Sequence, residues 1–360
     1  MTTPAQRALL GERIARHGFP DRPCRSPAEA AARTTALQAQ DNGAARLGVR
    51  ARAVPSISDA DVRAAIEQGR TIVRTWLMRG TIHLVAAEDL RWLVRLLGPS
   101  VQRRYATRWR QLGLTDELLA RHVAALDELL ADGPLTRPQI RVGLAERHVR
   151  LESPDPQIHT HAVVHASCLG LICRGPDRGR DATFVRLDDW LPGSETGPEG
   201  DDALAELARR YFTAFSPATA ADFTTWSGLA SRRAIELIGD ELQAVDVDGR
   251  PGYRLGEVEP AWGVRLLPGF DNYVLGYRER AVLLAPELHR NVYDGGVIRP
   301  TVLVDGRVVG HWAVDRARRR LKLTPFERWP KKTQLGVEAE VADVGRFLDL
   351  DLTIEWGEAV

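Results

Sequence analysis

Two glutamines separated by one apolar residue, Gln38-Ala39-Gln40, are the strongest candidates for chemistry in this chain. A glutamine side chain offers a carbonyl oxygen that accepts a hydrogen bond from water and stabilises positive charge through its dipole. Neither amide takes up a proton at neutral pH. The pair therefore suits a reaction in which a water is held and a cationic transition state is favoured. Two solvated polar residues at a helix terminus are the alternative interpretation.

The local sequence indicates how the two glutamines are positioned. Ser26-Pro27-Ala28-Glu29 is a capping box with proline at the first helical position, and it predicts a helix that runs to Ala36 or Leu37. Asp41-Asn42-Gly43 has strong turn chemistry, so we expect the helix to end near the glutamines. Residues two apart share a side only where the chain is extended or turning. Asp41 itself is either the cap of this turn or a general base.

Helices followed by a hairpin recur along the chain. In the first 98 residues, helices predicted near 4–17, 27–37 and 58–69 precede β-branched runs at 71–78 and 81–85. Three helices and a hairpin are the order of a winged helix, in which the last helix normally faces nucleic acid. We therefore predict an α+β protein with three tandem winged-helix modules, at residues 1–98, 99–192 and 200–260, with linkers near Pro99–Ser100 and Pro192–Gly200.

The last hundred residues have a different pattern. Short strand-like runs dominate 261–360, among them Tyr273–Leu275 and the two runs that flank the turn Asp305-Gly306. A helix is predicted near Gln334–Phe347. Short strands separated by glycine turns favour a small β-barrel-like unit or a curled sheet.

Charge is distributed unevenly along the 360 residues, whose formal net charge is only +1. Residues 1–110 contain 19 Arg and 9 Asp or Glu, a surplus of 19 − 9 = +10. The densest cluster, from Arg91 to Arg110, has no acidic residue, and within it we expect Arg103, Arg104 and Arg108 to contact phosphates. A solvated helix face is the alternative for each arginine.

Other compositional signals narrow the class of protein. The three cysteines are an odd count that fits reduced thiols, and neither a signal peptide nor a membrane-spanning run is present, so we expect a cytoplasmic protein. His159, His161 and His165 lie near Cys168 and Cys173, but no later histidine or cysteine completes a zinc spacing, so we predict no metal. Nothing in the sequence calls for a cofactor.

Four motifs together resemble a known family. Taken in chain order, they are Gln38–Gln40, Arg79–His83, Leu267–Arg278 and Pro300–Arg307. They resemble the bacterial winged-helix DNA glycosylases of the AlkZ and YcaQ type, over nearly the whole chain. In the AlkZ branch of that family a Gln-apolar-Gln motif is catalytic, whereas the YcaQ branch has Asp at the second position. The resemblance therefore implies that Gln38 and Gln40 are catalytic and that the chain belongs with the AlkZ branch.

The resemblance also implies a substrate and a shape. It implies a monofunctional glycosylase without lyase activity, a monomer of the bacterial nucleoid, which cleaves the N-glycosidic bond of N7-alkylated purines in double-stranded DNA. Bulky natural-product adducts and interstrand crosslinks are further candidate substrates, in DNA repair or self-resistance. A crosslinked base cannot rotate fully out of the duplex, so an open, C-shaped DNA-binding channel is expected.

Further DNA contacts are predicted from position and charge. They are Arg79 and His83 on the first hairpin, and Arg299, Arg307 and His311 around the turn Asp305-Gly306, which could probe the minor groove. For His83 a structural hydrogen bond is the alternative.

A non-enzymatic winged-helix DNA-binding protein, such as a transcriptional regulator, is the rival interpretation. Such a protein has no need of the glutamine pair, so the pair discriminates between the two. Asp222 and Asp271, which lie within motif-like stretches, are interpreted as structural or as catalytic, and the sequence leaves both open.

Overall fold

The computed structural model describes residues 2–149, 151, 153, 155–179, 181–193 and 197–359. Its chain divides into two compact units. One unit contains Met1–Arg63 together with Ala205–Val360, and the other contains Ala64–Leu204. These divisions differ from the predicted module boundaries, and the assignment of modules stays a prediction.

The N-terminal segment is mainly helical, and its caps follow the sequence signals. The Thr3 and Gln6 side chains form a complete capping box, and the Ser26 hydroxyl accepts from the Glu29 N–H. The elements are α1 (Pro4–Arg16), α2 (Pro27–Ala32), β1 (Leu37–Gln38), α3 (Asn42–Arg52) and α4 (Asp59–Glu67).

Two predictions around the glutamines were wrong in detail. Helix α2 ends at Ala32 rather than at Ala36 or Leu37, because Thr35 adopts a left-handed φ of 67° and the chain then becomes extended. Asp41-Asn42-Gly43 is not a loop turn but the start of a helix that the sequence analysis missed. Asp41 is its N-cap, and its side chain accepts from the Ala44 N–H.

The unit Ala64–Leu204 combines an antiparallel sheet with packed helices. Its strands follow one another across the sheet in the order β3-β2-β5-β6-β4, and Trp76, Trp109 and Phe184 lie in its apolar core. The first hairpin is confirmed, with Ile72 opposite Ala86 and Trp76 opposite Ile82. The elements are β2 (Ile72–Trp76), β3 (Ile82–Ala86), α5 (Leu90–Gln111), α6 (Asp116–Leu130), β4 (Leu135–Thr136), α7 (Arg137–Glu146), α8 (Gln157–Cys168), β5 (Ile172–Arg174), β6 (Thr183–Arg186) and α9 (Leu187–Trp190).

Helix α5 passes through the predicted linker at Pro99–Ser100, which is therefore wrong. Proline 99 lies inside this helix of 22 residues, where it removes one backbone donor without ending the helix. Just before it, Gly98 lies against helix α8, since a Cβ there would be 2.2 Å from the Cys168 carbonyl oxygen. Packing against α8 keeps the helix continuous where the local sequence favours a break.

The next segment follows the predicted order of three helices and a hairpin. Asp248 and Gly249 form the hairpin turn with φ values of 55° and 79°, which are typical of a type I′ turn. Ala218 adds an isolated antiparallel bridge to Tyr253. The elements are α10 (Gly200–Phe215), α11 (Ala220–Ser227), α12 (Ser231–Leu237), β7 (Leu242–Asp246) and β8 (Pro251–Leu255).

The C-terminal segment forms an open sheet covered on one face by a helix. Trp312 and Leu323 alternate with exposed residues along their strands and pack with Val341 of the last helix in one apolar core. The elements are β9 (Val264–Leu267), α13 (Asn272–Leu275), α14 (His289–Val292), β10 (Tyr293–Asp294), β11 (Val297–Ile298), β12 (Thr301–Val304), β13 (Arg307–Asp315), β14 (Arg320–Pro325), α15 (Lys331–Leu348) and β15 (Thr353–Trp356).

Two C-terminal predictions were wrong. The sheet order is β15-β14-β13-β12-β9, and among the described residues its two end strands do not pair with each other, so it is an open sheet and not a barrel. The run Tyr273–Leu275 is helical, because Asp271 caps it by accepting from the Tyr273 N–H. The helix predicted near Gln334–Phe347 is confirmed as α15. Within the described ranges, no helix has both the length and the apolar character of a membrane crossing.

The packing of α5 against α8 predicts the effect of adding one methyl group. Gly98→Ala should lower the free energy of unfolding by about 1–3 kcal/mol, because overpacking outweighs the better helix propensity of alanine. Chemical denaturation measures this change. Gly239→Ala is the matched control, since a Cβ there meets no atom within 4 Å. A Gly98→Ala variant as stable as the parent would show that the helices part without cost.

Candidate functional site

The two glutamines lie on the extended segment that connects α2 with α3. Gln38 ends β1 and is 7% exposed, whereas Gln40 is exposed. The Gln38 Oε1 accepts from the Gln40 N–H at 3.1 Å, which fixes the direction of the Gln38 amide. A carbonyl oxygen has two lone pairs, so this oxygen can still accept a hydrogen bond from a water or a ligand.

The side-chain amide of Asn272 holds the backbone that leads into Gln38. Its Nδ2 donates to the Ala36 carbonyl, and its Oδ1 accepts from the Gln38 N–H at 3.2 Å. A residue on a neighbouring parallel strand makes the same pair of bonds, to residues two apart. Asn272 is 4% exposed, so water does not compete strongly for these bonds. The position of Gln38 is therefore set by a residue 234 positions further along the chain.

The carboxylate of Asp271 joins the end of α3 to the start of α13. Its carboxylate accepts two hydrogen bonds of 2.9 Å from Arg52 at the end of α3, and both side chains are fully buried. The same carboxylate caps α13, which contains Asn272. Asp271 is thus structural, which settles one alternative left open by the sequence, and it links α3 to the residue that holds Gln38.

His17 completes the buried group around Arg52. The Arg52 Nη2 lies 3.2 Å from His17 Nδ1, and because a guanidinium only donates, Nδ1 is the acceptor. Burial, and then the nearby arginines beginning with Arg52, hold the pKa of His17 well below its usual value. The imidazole is therefore neutral and supports the ion pair without adding charge.

Asp41 acts as a helix cap. Its Oδ1 accepts from the Ala44 N–H at 2.8 Å, which is the bond expected of an N-cap carboxylate. The carboxylate next to Gln40 therefore has a capping role, although it caps the helix α3 and not the predicted turn. Asp222 is also a cap: its carboxylate accepts from the Thr219 and Arg278 N–H groups.

The two predicted DNA contacts on the first hairpin, Arg79 and His83, lie in different surroundings. Arg79 lies at the turn with a left-handed φ of 58°. His83 is buried, and its Nδ1 lies 2.9 Å from the Thr81 carbonyl oxygen, so this nitrogen donates. Burial, followed by the charge of Arg79, lowers the pKa of His83 to about 3. The structure therefore shows the structural hydrogen bond that was the alternative for His83, while a contact with DNA stays a prediction.

The arginine cluster on α5 contains paired and exposed side chains. Arg108 pairs with Asp155 and also donates to Gln157, so its charge is partly neutralised. Arg103 and Arg104 are exposed, and neither has an ion pair with another described residue. The acidic partner of Arg108 lies 47 residues away, which the local sequence could not reveal.

The C-terminal candidates surround a turn that is packed inside its unit. The Tyr273 hydroxyl donates to the Gly306 carbonyl at 2.9 Å, and a Cβ at Gly306 would lie 2.7 Å from the Leu10 Cβ. This packing disfavours insertion of the turn Asp305-Gly306 into a groove. Of the three candidates there, Arg299 pairs with Asp294 at 3.6 Å, Arg307 donates to the Thr2 hydroxyl, and His311 is half-buried.

Sequence reasoning missed Asn272 as a site residue. The signal was present, because Asp271-Asn272-Tyr273 lies within one of the four motifs. In the structure these three consecutive residues hold Arg52, the Gln38 segment and the turn at Gly306 respectively. The motif therefore places and fixes the catalytic candidates.

Comparisons with known proteins agree on one family. A family model described as DNA glycosylase AlkZ-like matches residues 31–347. An interstrand DNA cross-link repair glycosylase from Streptomyces sahachiroi is 32% identical over 375 residues, which cover 94% of this chain and 95% of the relative. The solved structure of Streptomyces sahachiroi DNA glycosylase AlkZ is similar with a TM-score of 0.83 and 28% identity, over 99% of this chain and 100% of that chain.

The Asn272 geometry predicts a stability that depends on pH in one variant. In Asn272→Asp, a carboxylate would face the Ala36 carbonyl, which raises the carboxyl pKa above its usual value of about 3.9. The protonated form can donate to that carbonyl, so the loss of stability relative to the parent should grow as the pH rises through the raised pKa, to about 1–3 kcal/mol.

Thermal melts between pH 4.5 and 8.5 measure this difference. Asn291→Asp on α14 makes the same chemical change elsewhere and serves as the matched control. If the Asn272→Asp and Asn291→Asp differences from the parent have the same pH dependence, the amide of Asn272 does not hold the segment in the manner described.

Proposed function

Because the chain belongs to the family of AlkZ-like DNA glycosylases, we propose that it hydrolyses the N-glycosidic bond of N7-alkylated purines in double-stranded DNA. The observation that carries this proposal is the pair of amides at Gln38 and Gln40. The Asn272 side chain holds the backbone at Gln38 by accepting from its N–H. A regulator that only binds DNA would not need this pair of amides.

The amides suit this reaction because of the charge of the substrate. A purine alkylated at N7 carries a positive charge, so it leaves as a neutral base and needs no general acid. The remaining need is to hold a water and to stabilise the cationic sugar as the bond breaks. Fixed amide dipoles meet this need without reorganising, which is the most effective form of electrostatic stabilisation. The Gln38 and Gln40 carbonyl oxygens are assigned this role.

The assignment of Asp41 as a cap narrows the substrate range. Its Oδ1 is engaged with the Ala44 N–H, so the segment offers amides and no carboxylate committed to proton transfer. Adducts that remain uncharged need help for the leaving group and should be excised slowly. The enzyme is therefore proposed to select charged adducts through chemistry as well as through binding.

The wider substrate range follows from the relatives. The Streptomyces sahachiroi relative is named for the repair of interstrand DNA crosslinks, and we extend bulky natural-product adducts and crosslinks to this chain as proposed substrates. The helix and hairpin orders at α6–β6 and α10–β8 support the winged-helix modules, whereas their number and the C-shaped channel stay predictions. The proposed protein is a monomer of the nucleoid.

A monofunctional reaction is part of the proposal. Lyase activity requires an amine that forms a Schiff base with the sugar. The chain has three lysines, Lys322, Lys331 and Lys332, and none of them lies in the segment 36–53 that contains the glutamines and α3. Release of the base is therefore proposed to leave an intact abasic site.

Removal of either glutamine amide tests the proposed chemistry. Gln38→Ala and Gln40→Ala should slow single-turnover excision of N7-methylguanine by about 10²–10³-fold, the usual cost of losing one preorganised contact to the transition state. Abasic sites, revealed by mild base, are the readout, and duplex affinity should remain near the parental value. Gln68→Ala, at an exposed position just after α4, is the control for loss of an amide. Folded alanine variants that excise at the parental rate would instead support a binding protein.

The two kinds of arginine on α5 should contribute differently to DNA affinity. Arg103→Ala with Arg104→Ala should reduce the slope of log affinity against log salt by about two units, as expected for two lost phosphate contacts. Arg108→Ala should change the slope by less than one unit, because Asp155 already neutralises that charge. Fluorescence anisotropy with an undamaged duplex measures the slopes. Equal slopes in the parent and the double variant would place this helix face away from DNA.

A further inference from the structure

A cavity of about 660 Å³ lies between α1, β9 and α15, inside the unit that contains Met1–Arg63 and Ala205–Val360. We call it the β9 cavity and define it by Arg7, Trp262, Val264, Lys332 and Glu340. Its volume is typical of a binding site. Neither catalytic candidate is among the described residues that line it, so the proposed reaction does not explain it.

Trp262 presents a fixed aromatic surface at the rim of the β9 cavity. Its side chain is 37% exposed. A Cβ at Gly11 would lie 2.7 Å from the Trp262 Cη2, so α1 packs directly against the edge of the indole ring. The Arg7 guanidinium lies over the ring, 4.8 Å from its centroid. A partly exposed tryptophan held in one position is typical of the anchor residues at which protein partners bind.

The backbone beside Trp262 is an open strand edge. Strand β9 ends the five-stranded sheet, and within the described residues it pairs with β12 alone. The Asp305 N–H donates to the Gly263 carbonyl at 2.9 Å. Because bonded and non-bonded pairs alternate along an antiparallel ladder, the N–H and the carbonyl of Val264 point away from β12.

Side chains cover the rest of this edge but leave Val264 open. Leu266 is the next residue whose polar backbone groups point outward. Its N–H donates to the Glu340 Oε2 at 3.0 Å, and its carbonyl accepts from Arg50. In the described part of the chain, no group bonds to the outward N–H or carbonyl of Val264, which line the β9 cavity. An uncovered edge of this kind is a template for another strand.

The β9 cavity carries a surplus of positive charge. Four cations and two carboxylates line it, a surplus of 4 − 2 = +2. Glu340 accepts from Arg265 and lies 3.9 Å from Arg22, so these three charges form one buried group. Arg7 and Lys332 are exposed, and neither has an ion pair with another described residue. These two cations can therefore bind the carboxylates of a partner.

The chemistry of the β9 cavity fits a peptide chain better than a nucleic acid. An extended peptide offers N–H and carbonyl groups in alternation, so it can bond both backbone groups of Val264. A phosphodiester has only acceptors and would leave the Val264 carbonyl without a donor. The unpaired cations select acidic side chains, and Trp262 selects an apolar one.

From these contacts we infer that the β9 cavity binds an extended acidic segment of a partner protein, which adds as a strand to β9. The main chain of the partner bonds to Val264, and one of its apolar side chains packs against Trp262. Carboxylates on either side of that residue bind Arg7 and Lys332. The inference goes beyond the proposed function and does not depend on it, because it concerns association with another protein and not the chemistry of the glutamines.

A synthetic peptide of this chemistry tests the inference. The probe is a fluorescein-labelled heptapeptide with a central phenylalanine between two valines and with two aspartates at each end. Fluorescence anisotropy measures its affinity, and the parent should bind it with a Kd well below about 1 mM. Trp262→Ala should weaken binding about tenfold or more, as expected for an aromatic anchor. Arg7→Gln with Lys332→Gln should weaken it about threefold to tenfold, and less so at high salt.

Matched controls separate the β9 cavity from the rest of the surface. Trp356→Ala removes an exposed tryptophan from the opposite end strand of the sheet. Arg290→Gln with Lys322→Gln removes two exposed cations that do not line the cavity. Both controls should bind the probe within about twofold of the parent. A probe that is N-methylated at its three central residues should bind about tenfold more weakly or worse, because it cannot donate to the Val264 carbonyl.

Several outcomes would overturn the inference. They include a parent that leaves the probe unbound at about 1 mM, equal affinity for the N-methylated probe, and an equal loss of affinity in the control variants. A dimer that dissociates in Trp262→Ala, as measured by sedimentation, would make the cavity an interface between two copies of this chain. A matching loss of affinity for undamaged duplex DNA would make it a nucleic-acid site.

The inference and the proposed function can fail separately. Single-turnover excision of N7-methylguanine by Trp262→Ala should stay within about threefold of the parent, because Trp262 has no part in the proposed chemistry. A parent that binds the probe as expected but never releases an alkylated base would leave the inference standing and defeat the proposed function. A parent that releases the base but does not bind the probe would do the reverse.

Discussion

The side-chain amide of Asn272 is the contact on which the account of the site depends. The segment from Ala36 to Gln40 has little regular structure of its own, and an extended segment of that length does not hold a side chain to the precision that catalysis requires. Asn272 donates to the Ala36 carbonyl and accepts from the Gln38 N–H, as a residue of a neighbouring strand would. The Gln38 Oε1 then accepts from the Gln40 N–H. Fixing one backbone position therefore fixes the direction of the first amide.

That contact is in turn supported by buried charge. Asn272 follows Asp271, whose fully buried ion pair with Arg52 joins the start of α13 to the end of α3. Loss of one partner in such a pair typically costs about 3–5 kcal/mol, because the other charge remains buried. Helix α3 begins at Asn42, two residues after Gln40, so the ion pair joins the helix that follows the glutamines to the residue next to Asn272. Neutral His17 completes that group without repelling Arg52 more strongly.

A site built from amides has a chemical consequence. Neither glutamine titrates, and Asp41, the adjacent carboxylate, caps α3. Within the described segment 38–41, the two amides can stabilise a cation, and the single carboxylate is engaged in capping α3. Under the proposed function, a positively charged N7-alkylated base needs no proton donor, and uncharged adducts would be poorer substrates.

The sequence predicted those features whose causes are local. The helix cap at Ser26, the first hairpin and the last helix all follow from neighbouring residues, and all are confirmed. The glutamine pair was identified from a motif, and its catalytic role stays a prediction.

Other features depend on contacts between distant residues. The helix through Pro99 is stabilised by close packing at Gly98, and the open sheet depends on which strands pair. The position of Gln38 depends on Asn272, which is 234 residues away. Asp41 lies between the features with local causes and those that depend on distant contacts. Its local sequence fits either a turn or a helix cap, and the residues that follow form the helix α3.

The pH dependence of base release distinguishes stabilisation by amides from proton transfer by a side chain. Single-turnover release of N7-methylguanine from duplex DNA by the parental protein should be measured from pH 5.5 to 8.5, with the fraction of bound duplex held constant. If fixed amides stabilise the transition state and no side chain transfers a proton, the rate should vary by less than about twofold over this range. A rate that rises tenfold or more with pH along the titration curve of one acid would show that a general base acts, and it would contradict the account.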